Sequence, residues 1–301
     1  MSANRPKILL IGCDGQVGWE LQRTLAVLAD VTATSLCGSY GYALDLLNPD
    51  AVNKAVAETK PDYIVNAAAH TAVDKAESEV ELSEKLNAEA PAQLARLASE
   101  NNAVLIHYST DFVFDGKSER PYREEDRTAP LGIYGQTKLE GEQRVLATET
   151  ATMVFRTSWV YGNHGHNFMK TMLRLFRERE ELKVVDDQMG APTWSRMIAE
   201  ATAQIIGQLH SGAKNAAELK GIYHLTNSGE TSWYGFARQI LELSGESCSL
   251  LPIATHEYPT PARRPAYSVL DNSKLNQVFG LALPDWSNSL KRCMEDEITI
   301  S

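Results

Sequence analysis

Apolar and polar residues along the first half of the chain follow two alternating patterns. After its lysine, the segment 7–11 (KILLI) is continuously apolar and stops at Gly12, whereas residues 17–28 repeat apolar positions three and four residues apart. The first pattern is typical of a strand covered on both faces, as in a parallel sheet, and the second is typical of a helix. Continued along the chain, the two patterns predict strands at 31–35, 63–68, 104–108 and 153–159, and helices at 49–58, 76–101 (interrupted near 87–91) and 134–147.

Strands that alternate with helices predict an α/β fold with a doubly wound, Rossmann-like parallel sheet. After Trp159 the pattern loosens: helices are expected near 167–179, 195–209 and 233–244, a short strand at 222–226, and irregular chain in the proline-rich segment 258–268. We therefore expect a dinucleotide-binding domain and a second, smaller α/β substrate-binding lobe. The domain comprises residues 1–158 with a return segment at about 194–215, and the lobe comprises 159–193 and about 216–301.

Composition and charge narrow the class of function. The chain has 301 residues, of which 43% are hydrophobic and 23% charged, as in ordinary globular proteins. Its net charge of −10 and the lack of a basic run argue against nucleic acid or a membrane surface as partner. The four cysteines are scattered, and the apolar stretch before Gly12 is too short for a signal peptide, so we expect a cytoplasmic protein.

A glycine-rich segment, GCDGQVG, joins the first predicted strand to the first predicted helix through Gly12, Gly15 and Gly18. In a dinucleotide site the first glycine permits a tight turn, the second lets backbone approach a pyrophosphate, and the third lets the helix pack against the strand. The alternative is an ordinary turn. No acidic residue stands at 35–37, and no Lys or Arg stands between Arg23 and Lys54, so local charge selects neither NAD nor NADP.

Two further groups of polar residues follow at distances that suit carbonyl chemistry. Ser109, Thr110 and Asp111 come at the end of the fourth predicted strand, the sheet edge where such folds bind ligands. Tyr134 and Lys138 are one helical turn apart in LGIYGQTKLEGEQ. A ketone reduced by hydride needs a proton; the phenol can donate it, and a nearby ammonium is expected to lower the phenol pKa toward the working pH. By itself the pair could be a surface contact, and its context argues for a site.

The order of glycine loop, strand-end hydroxyl, tyrosine and lysine resembles the extended short-chain dehydrogenase/reductase superfamily. The segments GQVGWELQR, NAAAHTAVDKAE, HYSTDFVFDG, YGQTKLEGE, FRTSWVYG and YPTPARRPAYSVLD, which lie between Gly12 and Asp271, together resemble the dTDP-4-dehydrorhamnose reductase family. The resemblance implies reduction of the 4-keto group of dTDP-4-dehydro-L-rhamnose to dTDP-L-rhamnose by NADPH or NADH. It leaves open another dTDP-4-keto-6-deoxysugar as substrate, and a non-catalytic NADP-binding regulatory subunit like that of methionine adenosyltransferase.

The resemblance also implies roles for individual residues. The catalytic residues would be Tyr134 as proton donor, Lys138 as its partner and Thr110 at the substrate oxygen. The dTDP-sugar would be bound by Thr110, Asp111, Trp159, Arg263 and Arg264, although Trp159 could instead fill the core and the two arginines a solvated loop. The cofactor would be bound by Tyr134 and Lys138 with Gly12, Gly15, Gln16, Val17, Gly18, Asp45, Leu46, Ala68, Ala69 and Thr71.

Some features have competing explanations. Family members are described with Mg²⁺ at a dimer contact; here Glu20 could provide an oxygen ligand, but Arg196 stands where a second carboxylate is expected. We therefore expect a Glu–Arg pair and chemistry that does not need Mg²⁺, with a homodimer as the expected assembly. His70 is expected in a packing or loop role, His164 and His166 in a loop without metal, and Asn87 either in the superfamily's structural role or at a helix break.

Overall fold

The computed structural model describes residues 5–300, with side chains described through residue 296. The strands are β1 (Lys7–Ile11), β2 (Asp30–Ser35), β3 (Tyr42–Ala43), β4 (Tyr63–Asn66), β5 (Val104–Thr110), β6 (Thr152–Thr157), β7 (Val160–Tyr161), β8 (Glu181–Val185), β9 (Met189–Gly190), β10 (Thr193–Trp194), β11 (Gly221–His224), β12 (Thr231–Ser232) and β13 (Ser249–Ile253). The α-helices are α1 (Gln16–Ala26), α2 (Pro49–Thr59), α3 (Val73–Ala76), α4 (Val80–Glu84), α5 (Ala90–Glu100), α6 (Ile133–Leu146), α7 (Phe168–Glu178), α8 (Ser195–His210), α9 (Trp233–Ser244), α10 (Ser273–Phe279) and α11 (Trp286–Ile300).

Seven strands form one parallel sheet in the order β11-β6-β5-β4-β1-β2-β3, which confirms the predicted doubly wound class. The chain runs outward from β1 to β3 and then returns to place β4 on the other side of β1. This reversal is the topological switch point where open α/β sheets bind ligands. The register pairs Ile11 with Asn66 and Asn66 with His107, so the carboxyl ends of β1, β4 and β5 meet at one edge.

Alternate strand residues enter two apolar layers, one on each face of the sheet. Ile8 and Leu10 face a layer that contains Leu21 of α1 and Ile205 of α8. Leu9 and Ile11 face the opposite layer, which includes apolar residues of α2 and α5. Burial on both faces is the physical reason why β1 reads as a continuous apolar run. A third cluster, built around Tyr161, Phe176, Trp194, Phe236 and Leu290, lies outside the main sheet.

The predicted elements through α6 are present, with bounds that differ by a few residues. The interruption expected near 87–91 is a π-helical turn, Lys85–Glu89, between α4 and α5. Patterning did not predict β8 or β13, which pair only with each other in a two-stranded parallel sheet. No helix among residues 5–300 combines the length and apolar character needed to cross a membrane.

Candidate active site

The glycine loop after β1 contains two positions that a side chain could not occupy without displacing backbone. Gly12 has φ +82°, and a Cβ there would lie 2.7 Å from the Ala68 nitrogen. A Cβ on Gly18 would lie 1.9 Å from the Gly12 carbonyl oxygen, so α1 packs directly against the turn. Beside Gly15 the nearest such contact is 3.5 Å, which leaves its surroundings open. The N-cap residue of α1 is Gly15, which has no side chain to cap the helix, so its first N–H groups and Gly15 form a cradle suited to a phosphate.

The segment 162–167 lies along this cradle and is tied to it. Asn167 donates to the Gln16 side-chain oxygen at 3.0 Å, and Gln16 Nε2 donates to the Val160 carbonyl at 3.3 Å. His164 stacks on Trp19 with ring centroids 4.2 Å apart, and its Nε2 lies 2.9 Å from the Asp14 carbonyl. His164 is therefore a packing residue. Within residues 5–296 no group of three or more His, Cys, Asp or Glu side chains is arranged to hold a metal.

The remaining residues expected at the cofactor lie along the same sheet edge. Asp45 is exposed and its Oδ1 accepts the Leu47 N–H at 2.9 Å. Leu46 is 8% exposed and packs in the core, so a ligand could meet chiefly its backbone. Ala68 and Ala69 are half-buried after β4, and Thr71 is exposed.

Thr110, Asp111 and Tyr134 come together where β5 ends and α6 begins. The Thr110 hydroxyl donates to Asp111 Oδ1 at 3.1 Å. Thr110 and Asp111 both lie close enough to the Tyr134 phenol to shift its pKa. Burial raises the pKa of Tyr134 to about 12, and the Asp111 charge adds to that rise while the Thr110 hydroxyl opposes it. Burial also raises the pKa of Asp111 to about 6, against the lowering effect of the Ser268 and Thr110 hydroxyls. The arrangement keeps the phenol protonated at neutral pH, next to the Thr110 hydroxyl.

Lys138 is positioned differently from the expectation. It is 2% exposed, and its Nζ donates to the Tyr108 carbonyl at 2.6 Å and lies 3.4 Å from His107 Nε2. Burial lowers the pKa of Lys138 to about 8, with Glu142 opposing the shift. The expected lowering of the Tyr134 pKa by this ammonium is therefore wrong for the structure: loss of solvation outweighs the attraction between neighbouring helical positions and raises the phenol pKa.

Two glycines let α6 approach its neighbours closely enough to place the tyrosine and lysine. A Cβ on Gly135 would lie 2.2 Å from the Phe112 carbonyl oxygen, and one on Gly141 would lie 2.1 Å from the Asn87 carbonyl oxygen. The Asn87 amide accepts the His70 N–H at 2.9 Å and donates to the Thr137 hydroxyl at 3.1 Å. Asn87 therefore ties the loop after β4 to α6, and the π-helical turn that carries it is more than a helix break.

His70 belongs to the same loop and is held by two side chains. Its Nε2 lies 2.9 Å from Glu79 Oε2, and its Nδ1 lies 3.0 Å from the Ser83 hydroxyl. The set has the residue types of a hydrolase triad, but Ser83 is fully buried and could not meet a substrate. The expected packing role fits these contacts.

Sequence reasoning missed the buried pair of Glu142 and Arg156. Arg156 Nε and Nη2 donate to the two carboxylate oxygens of Glu142 at 2.9 and 2.6 Å. Glu142 follows Lys138 by four residues, as Lys138 follows Tyr134, so all three lie on one face of α6. The four-residue spacing could have shown from the sequence that Glu142 lies on the same helix face as Lys138. Its partner Arg156, on β6, could be found only from the fold.

Trp159 follows β6 in a left-handed backbone conformation, with φ +46°. Its indole stacks on Trp233 at a centroid distance of 3.5 Å and an interplanar angle of 6°. The edge of the indole lies against Gly190, where a Cβ would be 2.4 Å from the ring, so a side chain at position 190 would collide with it. Trp159 as a whole residue is half-buried.

The two arginines expected at the substrate are in different surroundings. Arg264 donates through Nη1 and Nη2 to the carboxylate of Asp74 at 3.1 and 2.8 Å, and this hydrogen bonding holds the pKa of Asp74 below its usual value. Arg263 is exposed. The segment 258–268 is irregular, as expected, and the Asp74–Arg264 pair anchors it over the loop after β4.

The predicted contact of Glu20 with Arg196 is present. Arg196 Nε lies 3.3 Å from Glu20 Oε2, and its Nη1 donates to Asp296. The guanidinium also lies 4.8 Å from the Trp194 ring centroid. A cation thus already occupies the space between the two carboxylates.

Comparison with known proteins gives the chain's relatives. The family model of the RmlD substrate binding domain matches residues 6–298. The dTDP-4-dehydrorhamnose reductase of Escherichia coli K12 is 47% identical over 303 residues, covering 97% of this chain and 98% of that protein. A solved dTDP-4-dehydrorhamnose reductase from Clostridium acetobutylicum has a TM-score of 0.88 at 40% identity, covering 97% of this chain and 99% of that one. Another, from Bacillus anthracis in complex with NADP, has a TM-score of 0.88 at 34% identity and covers 97% of this chain and 100% of that one.

Proposed function

The chain belongs to the dTDP-4-dehydrorhamnose reductase family, and on that premise we propose that it reduces the 4-keto group of dTDP-4-dehydro-L-rhamnose to give dTDP-L-rhamnose. The observation that carries the proposal is the placement of the Thr110 hydroxyl beside the Tyr134 phenol at the carboxyl edge of the sheet, next to the glycine cradle. The enzyme is an NAD(P)H-dependent oxidoreductase. When bound, the reduced nicotinamide supplies the hydride.

The residues of the cradle fit a dinucleotide. Gly12 and Gly18 let the turn and α1 pack closely, and Gly15 leaves open space beside them. The start of α1, at Gln16 and Val17, offers N–H groups to a pyrophosphate. Asp45, Leu46, Ala68, Ala69 and Thr71 are proposed to line the rest of the cofactor. The end of β2 lacks both the acidic residue of an NAD site and the cation of an NADP site, so we propose that either cofactor serves.

Tyr134 is proposed to deliver the proton to the substrate oxygen. Its raised pKa keeps the O–H intact across the physiological range, and Thr110 can share a hydrogen bond with the same oxygen. The Tyr134 phenol thus needs a partner that stabilises the charge it acquires when the proton leaves. Lys138 is proposed for that role, because it is the buried cation one turn further along α6.

The sugar nucleotide is proposed to lie between the sheet edge and the smaller lobe. Asp111 and the Trp159 indole are suited to a sugar ring, and an arginine fork is suited to a diphosphate. Since Arg264 is paired with Asp74, Arg263 is the arginine with an exposed side chain. The division into domain (1–158 with about 194–215) and lobe (159–193 and about 216–301) remains a proposal. The packing of α8 against α1 and the separate third core cluster support it.

The test measures oxidation of NADPH and NADH with dTDP-4-dehydro-6-deoxyglucose, with and without a 3,5-epimerase. Rapid oxidation that requires the epimerase is the expected result, and the two rates give the cofactor preference. Oxidation without the epimerase would point to another dTDP-4-keto-6-deoxysugar as substrate. Bound cofactor without oxidation would point to a non-catalytic regulatory subunit. Cytoplasmic location and a homodimer remain predictions.

Tyr134→Phe tests the role of the Tyr134 hydroxyl as proton donor independently of cofactor binding. Removing a general acid typically costs about 100-fold or more in kcat, so we expect at least that loss with cofactor affinity retained. Tyr161→Phe is the matched control, because the Tyr161 hydroxyl is buried without a hydrogen-bond partner within residues 5–296. A Tyr134→Phe enzyme with wild-type kcat would overturn the assignment.

A further inference from the structure

Three buried polar side chains form a line from β4 through β5 to α6. Asn66 Nδ2 lies 3.1 Å from His107 Nδ1, and His107 Nε2 lies 3.4 Å from Lys138 Nζ. Each of the three residues is 2% exposed or less. The line continues inward from the Tyr134–Thr110 pair, and the reaction proposed above gives His107 and Asn66 no role.

The first contact fixes the orientation of the Asn66 amide and hence the tautomer of His107. The Ala68 N–H donates to Asn66 Oδ1 at 3.1 Å, and only the amide oxygen can accept it. The amide nitrogen therefore faces the ring and donates to Nδ1. Because Nδ1 accepts, the neutral ring carries its proton on Nε2. Burial and the charge of Lys138 lower the pKa of His107 well below its ordinary value, so the ring stays neutral.

The Nε2–H is consequently directed at the nitrogen of Lys138. An ammonium offers only donors, so two donors would face each other across 3.4 Å. A neutral amine has a lone pair that can accept the Nε2–H while one of its own hydrogens remains on the Tyr108 carbonyl, 2.6 Å away. The geometry of the contact thus disfavours the charged form of the lysine.

The other charged groups around Lys138 do not explain this effect. Glu142, one turn along α6, favours the ammonium, but it is neutralised by Arg156 from β6. At the other end of the helix face lie Tyr134 and, from the 3-10 helix after β5, Asp111. Glu77, next to α3, accepts the Ile133 N–H in the first turn of α6, away from the lysine. His107 is the group on β5 that faces the lysine nitrogen itself.

We propose that His107 is a positioning residue for Lys138: its Nε2–H, aimed by Asn66, holds the lysine nitrogen against β5 and favours the amine over the ammonium. The inference rests on the proposed function only in giving Lys138 a part in the reduction. If the ammonium stabilises the Tyr134 oxygen, activity falls on the alkaline side as Lys138 loses its proton. The contact with His107 then places the alkaline limb at a lower pH than it would have if Lys138 titrated like an ordinary lysine.

The first test is the pH dependence of kcat/KM in two variants. His107→Phe removes both ring contacts, and His107→Asn keeps an oxygen that can accept from Asn66 but is too short to reach Lys138. In both we expect the alkaline limb to move up by about one pH unit, because the opposing donor is gone. His224→Phe is the control: His224 is equally buried in the same sheet, and neither ring nitrogen has a partner within residues 5–296. An alkaline limb unchanged in both His107 variants, whatever their kcat, would overturn the proposal.

The second test follows the lysine without turnover. The ¹³Cε resonance of Lys138, assigned by its loss in Lys138→Met, is titrated in the full chain and in His107→Asn. A midpoint higher by about one pH unit in His107→Asn supports the proposal even if no dTDP-sugar is reduced, in which case only the proposed function fails. Normal turnover with an unmoved midpoint would sink the role of His107 and leave the function standing.

Discussion

Glu142 and Arg156 form a two-point ion pair one helical turn beyond Lys138, and both side chains are 2% exposed or less. The pair joins α6 to β6 behind the helix face that carries Tyr134 and Lys138. It also places an arginine beside the carboxylate that opposes the lowering of the Lys138 pKa.

Breaking this pair from one side should be costly, because a buried charge would lose its partner. For Glu142→Gln we expect a loss of about 3–5 kcal/mol in the free energy of unfolding, measured by denaturant titration. Glu140→Gln is the matched control on the same helix, since Glu140 pairs with Arg144 at 2.6 Å on the surface. Its loss should stay under about 1 kcal/mol. Equal losses in the two variants would contradict the account.

Asp111 should make stability depend on pH in an unusual direction. Its folded pKa of about 6 lies above the ordinary aspartate value, so the folded state holds the proton more tightly than the unfolded state. The stability from this group is complete below about pH 4 and is lost as pH rises through 6. Asp111→Asn should therefore exceed wild type in stability at pH 7–8, by roughly 1–3 kcal/mol, with the difference vanishing near pH 4.

Asp115 provides the comparison of opposite sign. Its pKa is lowered, mainly by the Lys117 N–H and the Tyr122 hydroxyl, so its contribution is present above the unfolded pKa and is lost as pH falls. Asp115→Asn should be less stable than wild type at neutral pH, in the same denaturant titrations. A stabilised Asp115→Asn, or an Asp111→Asn difference that grows toward acid, would refute this reading of the two carboxylates.

Alanine substitutions at two glycines of the loop, Gly18 and Gly15, should differ in their effect on cofactor binding. In Gly18→Ala the new Cβ would meet the Gly12 carbonyl at 1.9 Å, so backbone must move and NADPH affinity should fall at least about 10-fold. In Gly15→Ala the nearest atom is at 3.5 Å and φ is −76°, so the folded loop should be retained. Cofactor fluorescence titration and thermal melting check both. A Gly18→Ala protein that melts and binds like wild type would show that α1 can shift without consequence.

Magnesium removal should leave activity unchanged. Arg196 lies between Glu20 and Asp296, where its positive charge already pairs with both carboxylates and opposes a divalent cation. We expect the same kcat before and after treatment with a chelator, and no stoichiometric Mg²⁺ by calorimetry. Activity that disappears with chelator and returns with Mg²⁺ would contradict this.

The sequence pattern predicts an element of the fold correctly where its apolar positions are the positions that the fold buries. Residues 7–11 are apolar because both faces of β1 are covered, and the Tyr134–Lys138 spacing reflects one helical turn. By contrast, β13 contains Pro252, a residue type that is disfavoured inside strands. It is tolerated there because β13 has β8 as its only partner in the described sheets.

The electrostatics of the site could not be read from spacing. Whether an ammonium lowers the pKa of a phenol depends on how much water each group loses, and Tyr134 and Lys138 are both shifted mainly by burial. Likewise, Arg156 and His107 become neighbours of α6 only after β5 and β6 pair in the sheet. Sequence spacing was enough to find the proposed catalytic groups, whereas the neighbours that influence their charge follow only from the fold.

The left-handed backbone at Trp159 has a consequence for redesigning the proposed sugar site. A bulky residue at φ +46° carries about 1–2 kcal/mol of unfavourable backbone energy. Two contacts keep Trp159 in this conformation: its indole stacks on Trp233, and its ring edge lies against the backbone of Gly190. A smaller residue at 159 would lose the stack but keep the unfavourable backbone, and any side chain at 190 would expel the indole. Positions 159, 190 and 233 are therefore expected to diverge together between homologues of different sugar preference, and a specificity change built at one of them alone should fail.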